Sequence, residues 1–146
     1  MKGQLRYRIL DEYKLVVVHY SGVLTVDELI DQLVNRNETS GYNPTYNTLY
    51  DFRDCTFNVK LAEFERSEEV GRTTPGYNTG KRVALLVKRP KETLLLRSFV
   101  KAIQKHKSHF EVFSAMSAAL LFVGATLNEK GYIEDILKEL KTVEPL

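Results

Sequence analysis

Cysteine is nearly absent. Cys55 is the single thiol in 146 residues, so no internal disulfide can form and nothing marks an oxidising compartment. Long apolar runs are absent too. The most apolar stretch, Ala115 to Leu127, contains Ser117, Gly124 and Thr126 and falls short of the roughly 20 residues that a membrane span needs. The opening segment MKGQLRYRIL has no apolar core and does not read as a signal peptide. There is no P-loop, no Gly-x-Gly-x-x-Gly and no Gly-x-Ser-x-Gly, which removes the usual phosphate cradle, dinucleotide fingerprint and serine elbow. Internal repeats and low-complexity tracts are also missing. What remains is an ordinary globular composition, 43% apolar and 27% charged. That is enough apolar surface for one core and too little net charge for a disordered chain.

Patterning then gives the elements. Residues 5–10 alternate and read as a half-buried strand. Asp11 to Lys14 is a polar break of hairpin length. Leu15 to Tyr20 is a β-branched run, expected in a strand covered on both faces and ended by Ser21-Gly22. Thr25 with Glu28 forms a capping-box pattern ahead of a helix to about Asn37, with Val26, Leu29, Ile30, Leu33 and Val34 on one face. A turn-rich stretch, 38–46, leads to a third strand, Asn47 to Phe52. A weakly apolar surface helix is expected over 60–72 and a loop over 73–80, then a buried strand within Arg82 to Lys88. Pro90 suits a helix start. That helix should run to about His106 and bury Leu94, Leu95, Leu96, Phe99 and Ile103. Phe110 to Phe113 reads as a short strand, and an apolar helix from Ala115 should stop at Gly124. A last amphipathic helix covers Tyr132 to Leu140.

The order is β-β-α-β-α-β-α-β-α plus a C-terminal helix. Alternating strands and helices imply an α/β fold with a mixed, mostly parallel five-stranded sheet, antiparallel only at its first hairpin. A single domain spans 1–146, with its core over about 5–125 and a helical extension over 128–146. Three segments carry a resemblance. They are VVVHYSGVLTVDEL, the strand ending Asp-Phe-Arg-Asp within YNPTYNTLYDFRDCTF, and the close FEVFSAMSAALLFVG. In this order the chain resembles the STAS-like, or SpoIIAA-like, group, the fold of the anti-sigma-factor antagonists. The resemblance implies a small cytoplasmic interaction or regulatory module that acts without catalysis, binding a protein partner or a second copy of itself. Classical members carry a phosphorylated serine at the start of the helix after the third strand. The matching stretch here, Cys55 to Leu61, offers only Thr56 as a hydroxyl, so the serine switch is not expected.

In a mostly parallel sheet the strand C-termini gather at one edge, where ligands tend to bind. This places Ser21, Asp51, Arg53, Asp54, Lys88 and Arg89 at a common rim, either as a docking or ligand-binding edge or as local ion pairs and turn bonds. Charge is divided along the chain. Residues 1–80 hold 9 basic and 12 acidic side chains, a net −3, and 81–146 hold 12 and 7, a net +5. Within 81–107, nine basic residues face Glu92 alone. Arg97, Lys101 and Lys105 follow at intervals of four and share a helix face, as a contact for an acidic partner or as a solvated surface. Nucleic acid is disfavoured, because the aromatics fall at apolar-face positions rather than on an open stacking surface.

His106 and His109 lack a third ligand, and zinc needs three or four. His19 stands alone in a strand. Cys55 has no neighbouring histidine and is expected to be structural. No metal, cofactor or catalytic residue is therefore expected. A carrier of a small, apolar or lipid-like ligand, lined by the helix Ala115–Gly124, is the second reading. An enzyme of unknown reaction is the third.

Overall fold

The computed structural model describes residues 3–25, 27–28, 43, 45–60, 62–63, 80–103 and 109–142, with the backbone alone at Phe99, Ala102, Ile103 and Thr142. The helices expected over 26–37 and 60–72 lie almost wholly outside the described residues, as do Lys105 and His106. Strand β1 (Gln4–Leu10) turns through a short 3-10 segment, Asp11–Tyr13, into β2 (Leu15–Leu24). Then come β3 (Asn47–Phe57), β4 (Arg82–Leu86), α1 (Pro90–Ile103), β5 (His109–Phe113), α2 (Met116–Phe122) and, after a 3-10 turn, α3 (Lys130–Thr142). The five strands form one sheet in the order β1-β2-β3-β4-β5. Only β1 and β2 are antiparallel; β2, β3, β4 and β5 are parallel neighbours.

The inner strands are buried on both faces, as the continuous run in β2 implies, while the edge strands β1 and β5 are only partly covered. Leu15 and Val17 of β2, with Leu49, Ala84 and Leu86, pack against Ala119 and Leu120 of α2 and Ile133, Ile136 and Leu137 of α3. On the opposite face Tyr20, Leu24, Phe52, Phe57, Val83 and Leu85 form a second core with Leu96 of α1. The alternation along β4 is the period of 2 expected of a strand between two cores.

Turn chemistry fixes the ends. Gly124 has φ +87°. The Gly124 N–H donates to Leu121 O, and the Ala125 N–H to Leu120 O at 2.9 Å, so α2 ends in a Schellman-type turn, as the glycine suggested. Asn47 ties three elements together. Its Nδ2 donates to Val123 O at 3.0 Å, and its Oδ1 accepts from the Arg82 N–H at 2.8 Å.

Three expectations need correction. First, β2 does not end at Ser21-Gly22 but continues to Leu24. Gly22 supports this at φ +89°, a conformation that costs a residue with a Cβ more. Second, β3 does not end at Phe52 but runs to Phe57. Third, Leu94 is not a core residue but 66% exposed. It falls on the outward face of α1, while Leu96 takes the inward one.

Adjacent leucines of α2 separate burial from composition. Leu120 is fully buried and Leu121 is 57% exposed. Leu120→Ala is expected to cost about 2–5 kcal/mol through lost transfer energy and a residual cavity. Leu121→Ala should stay within about 0.5 kcal/mol. Urea unfolding of the two variants checks this, with equal midpoints contradicting the assignment of faces.

Candidate functional site

The site begins with an irregularity. Along the β2–β3 pair the register passes from His19↔Asp51 to Ser21↔Asp54, so β3 carries one residue more than β2. Such a bulge re-aims every side chain that follows it. Before it, Leu49 and Asp51 share the α3 side with Val17 and His19. Beyond it, Cys55 and Phe57 lie on the α1 side, opposite Gly22 and Leu24, and Asp54 turns to the α3 side opposite Ser21.

Asp51 holds the bulge. It is fully buried, and its Oδ1 accepts the Arg53 backbone N–H at 3.0 Å. This is the i to i+2 side-chain bond by which aspartate supports tight backbone turns. The Arg53 guanidinium returns over the same carboxylate, with Nε at 2.9 Å from Oδ1 and Nη2 at 3.0 Å from Oδ2. A buried carboxylate needs such a partner, and Arg53 reaches solvent on its far side.

Asp54 closes a second network. His19 Nε2 lies 2.9 Å from Asp54 Oδ2, and Lys141 Nζ of α3 lies 3.2 Å from the same oxygen. An ionised carboxylate only accepts, so the shared proton sits on Nε2. His19 itself is 2% exposed, and its Nδ1 has no hydrogen-bond partner among the described residues. Burial opposes the charged form of Asp54, but hydrogen bonds and charge from His19 and Lys141 outweigh it. Its carboxyl is therefore held below the ordinary range. Arg6 and Arg8 of β1 extend the anchoring of α3. Arg6 Nη1 donates to Leu140 O at 3.2 Å, and Arg8 pairs with Glu139 at 2.7 Å.

On the α1 side, β3 runs past its pairing with β4, which ends at Asp51↔Leu86. The free edge is covered by side chains from the start of α1, one of the ways proteins blunt exposed strands. Arg89 Nη2 donates to Cys55 O and, at 3.0 Å, to Thr56 Oγ1. The Phe57 N–H donates to Glu92 Oε1 at 3.3 Å, and Arg89 lies 3.5 Å from that oxygen. Glu92, the lone acid of the basic segment, is buried there. Beneath lies a ring cluster in which Phe52 meets Tyr50, Tyr20 and Phe57 at centroid distances of 5.4, 6.3 and 5.3 Å. The Tyr20 hydroxyl donates to Glu28, and burial followed by that bond raises its pKa. Half of the expected capping box is present, with the Glu28 N–H donating to Thr25 Oγ1 at 3.2 Å. The Glu28 carboxylate serves Tyr20 instead.

The sheet therefore brings Ser21, Asp51, Arg53 and Asp54 together at one end of β2 and β3, with Arg89 across the bulge. Lys88 is exposed between β4 and α1. Arg97 and Lys101 are exposed on α1, away from that end. Lys105 lies outside the described residues. Sequence reasoning missed His19, Lys141 and Glu92. Only Glu92 left a trace, as the single acid in a basic helix start. Cys55 is fully buried. Burial foremost, then the charge of Glu92, pushes its thiol up to about 12. Among the described residues no group of three or more His, Cys, Asp or Glu could hold a metal, and no helix is long and apolar enough to cross a membrane.

No family model matches the chain, and no curated protein matches it. A solved structure does: an uncharacterized protein of the DUF3478 family with a SpoIIAA-like fold, from Shewanella loihica PV-4. The likeness covers 83% of this chain and 93% of that one, with a TM-score of 0.53 and 14% identity. At that identity it establishes the fold alone. The chain has a SpoIIAA-like α/β fold with a five-stranded, mostly parallel sheet.

Asp54→Ala would leave the buried His19 Nε2–H without its acceptor and is expected to cost about 1–3 kcal/mol in urea unfolding at pH 7. A carboxylate with a depressed folded-state pKa contributes fully above its unfolded value of about 3.9, and the contribution is lost as pH falls through the folded pKa. The gap between wild type and variant should therefore narrow below about pH 4. A gap independent of pH would contradict the network. Cys55 should resist a thiol reagent at pH 8 in the native protein and react at once in urea. Rapid native labelling would show that the thiol is not enclosed.

Proposed function

We propose that the chain is a cytoplasmic, non-enzymatic protein-interaction or regulatory module of SpoIIAA-like fold. One observation carries this reading: the titratable groups at the strand ends are closed on one another, while the cations along α1 face outward. Asp51 is occupied by Arg53, Asp54 by His19 and Lys141, and Glu92 by Phe57 and Arg89. General acid–base work needs a group free to exchange a proton with a substrate, and these pairs hold the fold instead. The ring cluster of Tyr20, Phe52 and Phe57 fills the α1 side of the same end with protein. This favours a surface that binds partners over a chamber that carries an apolar ligand. The serine switch has no place in the reading, since Cys55 to Leu61 contains no serine.

Light scattering of the purified protein, joined with cross-linking in cells, tests it. A defined homo-oligomer, or a protein recovered with it in fixed stoichiometry, is the expected result. A chain that stays monomeric and cross-links to nothing in fixed ratio would overturn the reading.

A further inference from the structure

The outward face of α1 combines an exposed leucine with a row of cations. Lys91, Leu94, Arg97 and Lys101 succeed one another at helical spacing, and all four are exposed. Leu94, at 66%, has the largest exposure among the exposed large apolar residues. None of the three cations has an ion pair among the described residues. The only acid of this helix, Glu92, is turned inward to Phe57 and Arg89, so nothing on α1 neutralises the row. The result is an apolar knob set within positive charge.

We propose that this face docks an acidic, amphipathic helical segment of a partner protein, with Leu94 as the apolar anchor and Arg97 and Lys101 pairing with its carboxylates. The proposal rests on the interaction reading above and deepens it. Charge complementarity selects the occupant. Arg97 and Lys101 stand about 6 Å apart along the axis, the rise between carboxylates four residues apart on a facing helix. An apolar centre ringed by complementary charge is the anatomy of a protein contact, in which the anchor supplies affinity and the rim supplies selection and rate. A membrane-surface helix would turn a broad apolar face outward, whereas Leu95 and Leu96 of α1 pack toward the sheet. A nucleic-acid surface would use the cations and leave Leu94 without a role, and it would present aromatic side chains for stacking. The outward positions named here include none.

Fluorescence anisotropy with the full chain tests this. The probe is a labelled 16-residue helical peptide with glutamates four apart around one leucine, titrated at about 150 mM salt to suppress loose charge attraction. Saturable binding is expected, weakened by about tenfold or more in the double variant R97E/K101E. Leu94→Ala, and replacement of the peptide leucine by alanine, should each weaken binding by about three- to tenfold. Combined, the two should cost less than the product of their separate effects, because they remove the same contact. All of these positions are exposed, so folding should be untouched, and the peptide change tests the anchor without altering the protein. Undiminished binding in R97E/K101E would overturn the proposal. So would tighter binding of a 20-base-pair duplex or of phosphatidylserine vesicles in competition. Light scattering of R97E/K101E separates the two levels. A partner complex that survives the charge reversal refutes this docking face while leaving the interaction reading standing.

Discussion

The parallel pair at the centre of the sheet is out of step by one residue, and a buried carboxylate keeps it so. A strand has a period of 2, so one added residue exchanges the faces of everything beyond it. Without the extra residue, Phe57 and Cys55 would turn toward α3 and Asp54 toward α1. With it, Phe57 completes the ring cluster beneath α1, and Asp54 reaches His19 and Lys141. Asp51 satisfies the Arg53 N–H at the bulge and has its own charge balanced by the Arg53 side chain. An orphaned donor at this depth would cost about 1–3 kcal/mol, enough to favour a different register.

Consequences spread from this point to both layers. On one side, Asp54 receives the last turn of α3 through Lys141, while Arg6 and Arg8 hold the same end from β1. On the other, the extension of β3 beyond β4 leaves backbone groups that the side chains of Arg89 and Glu92 satisfy. Of the polar residues expected at the strand ends, Asp51, Arg53, Asp54 and Arg89 thus stabilise the irregular sheet end. The outward cations of α1, Lys91, Arg97 and Lys101, carry no ion pair of this kind among the described residues.

Elements with strong local signals were legible in the sequence. The unbroken run Leu15 to Tyr20 marked a strand buried on both faces, Pro90 marked the start of α1, and Gly124 marked the end of α2. The bulge was not legible as such. Its trace is a change of phase: Tyr50 and Phe52 occupy even positions, and Cys55 and Phe57 odd ones. A single alternating phase therefore stops at Phe52. His19 looked isolated because its partner Asp54 stands 35 positions away, and Lys141, which meets Asp54 and not His19, lies in the last helix. Distances of that kind follow from topology, which local pattern does not contain. Leu94 was misplaced for a simpler reason. Three consecutive leucines, Leu94 to Leu96, cannot all share one face of a helix, and hydropathy alone does not choose among them.

Amide hydrogen exchange at Arg53, compared between wild type and Asp51→Ala, tests the central claim most directly. If the Asp51 carboxylate holds the bulge, the Arg53 amide is protected in wild type. In the variant it should exchange at least about tenfold faster, the equivalent of about 1.4 kcal/mol of lost hydrogen bonding, while Val16 to Val18 keep their protection. Equal protection of Arg53 in both proteins would contradict the account and show that the register of β3 is set without Asp51.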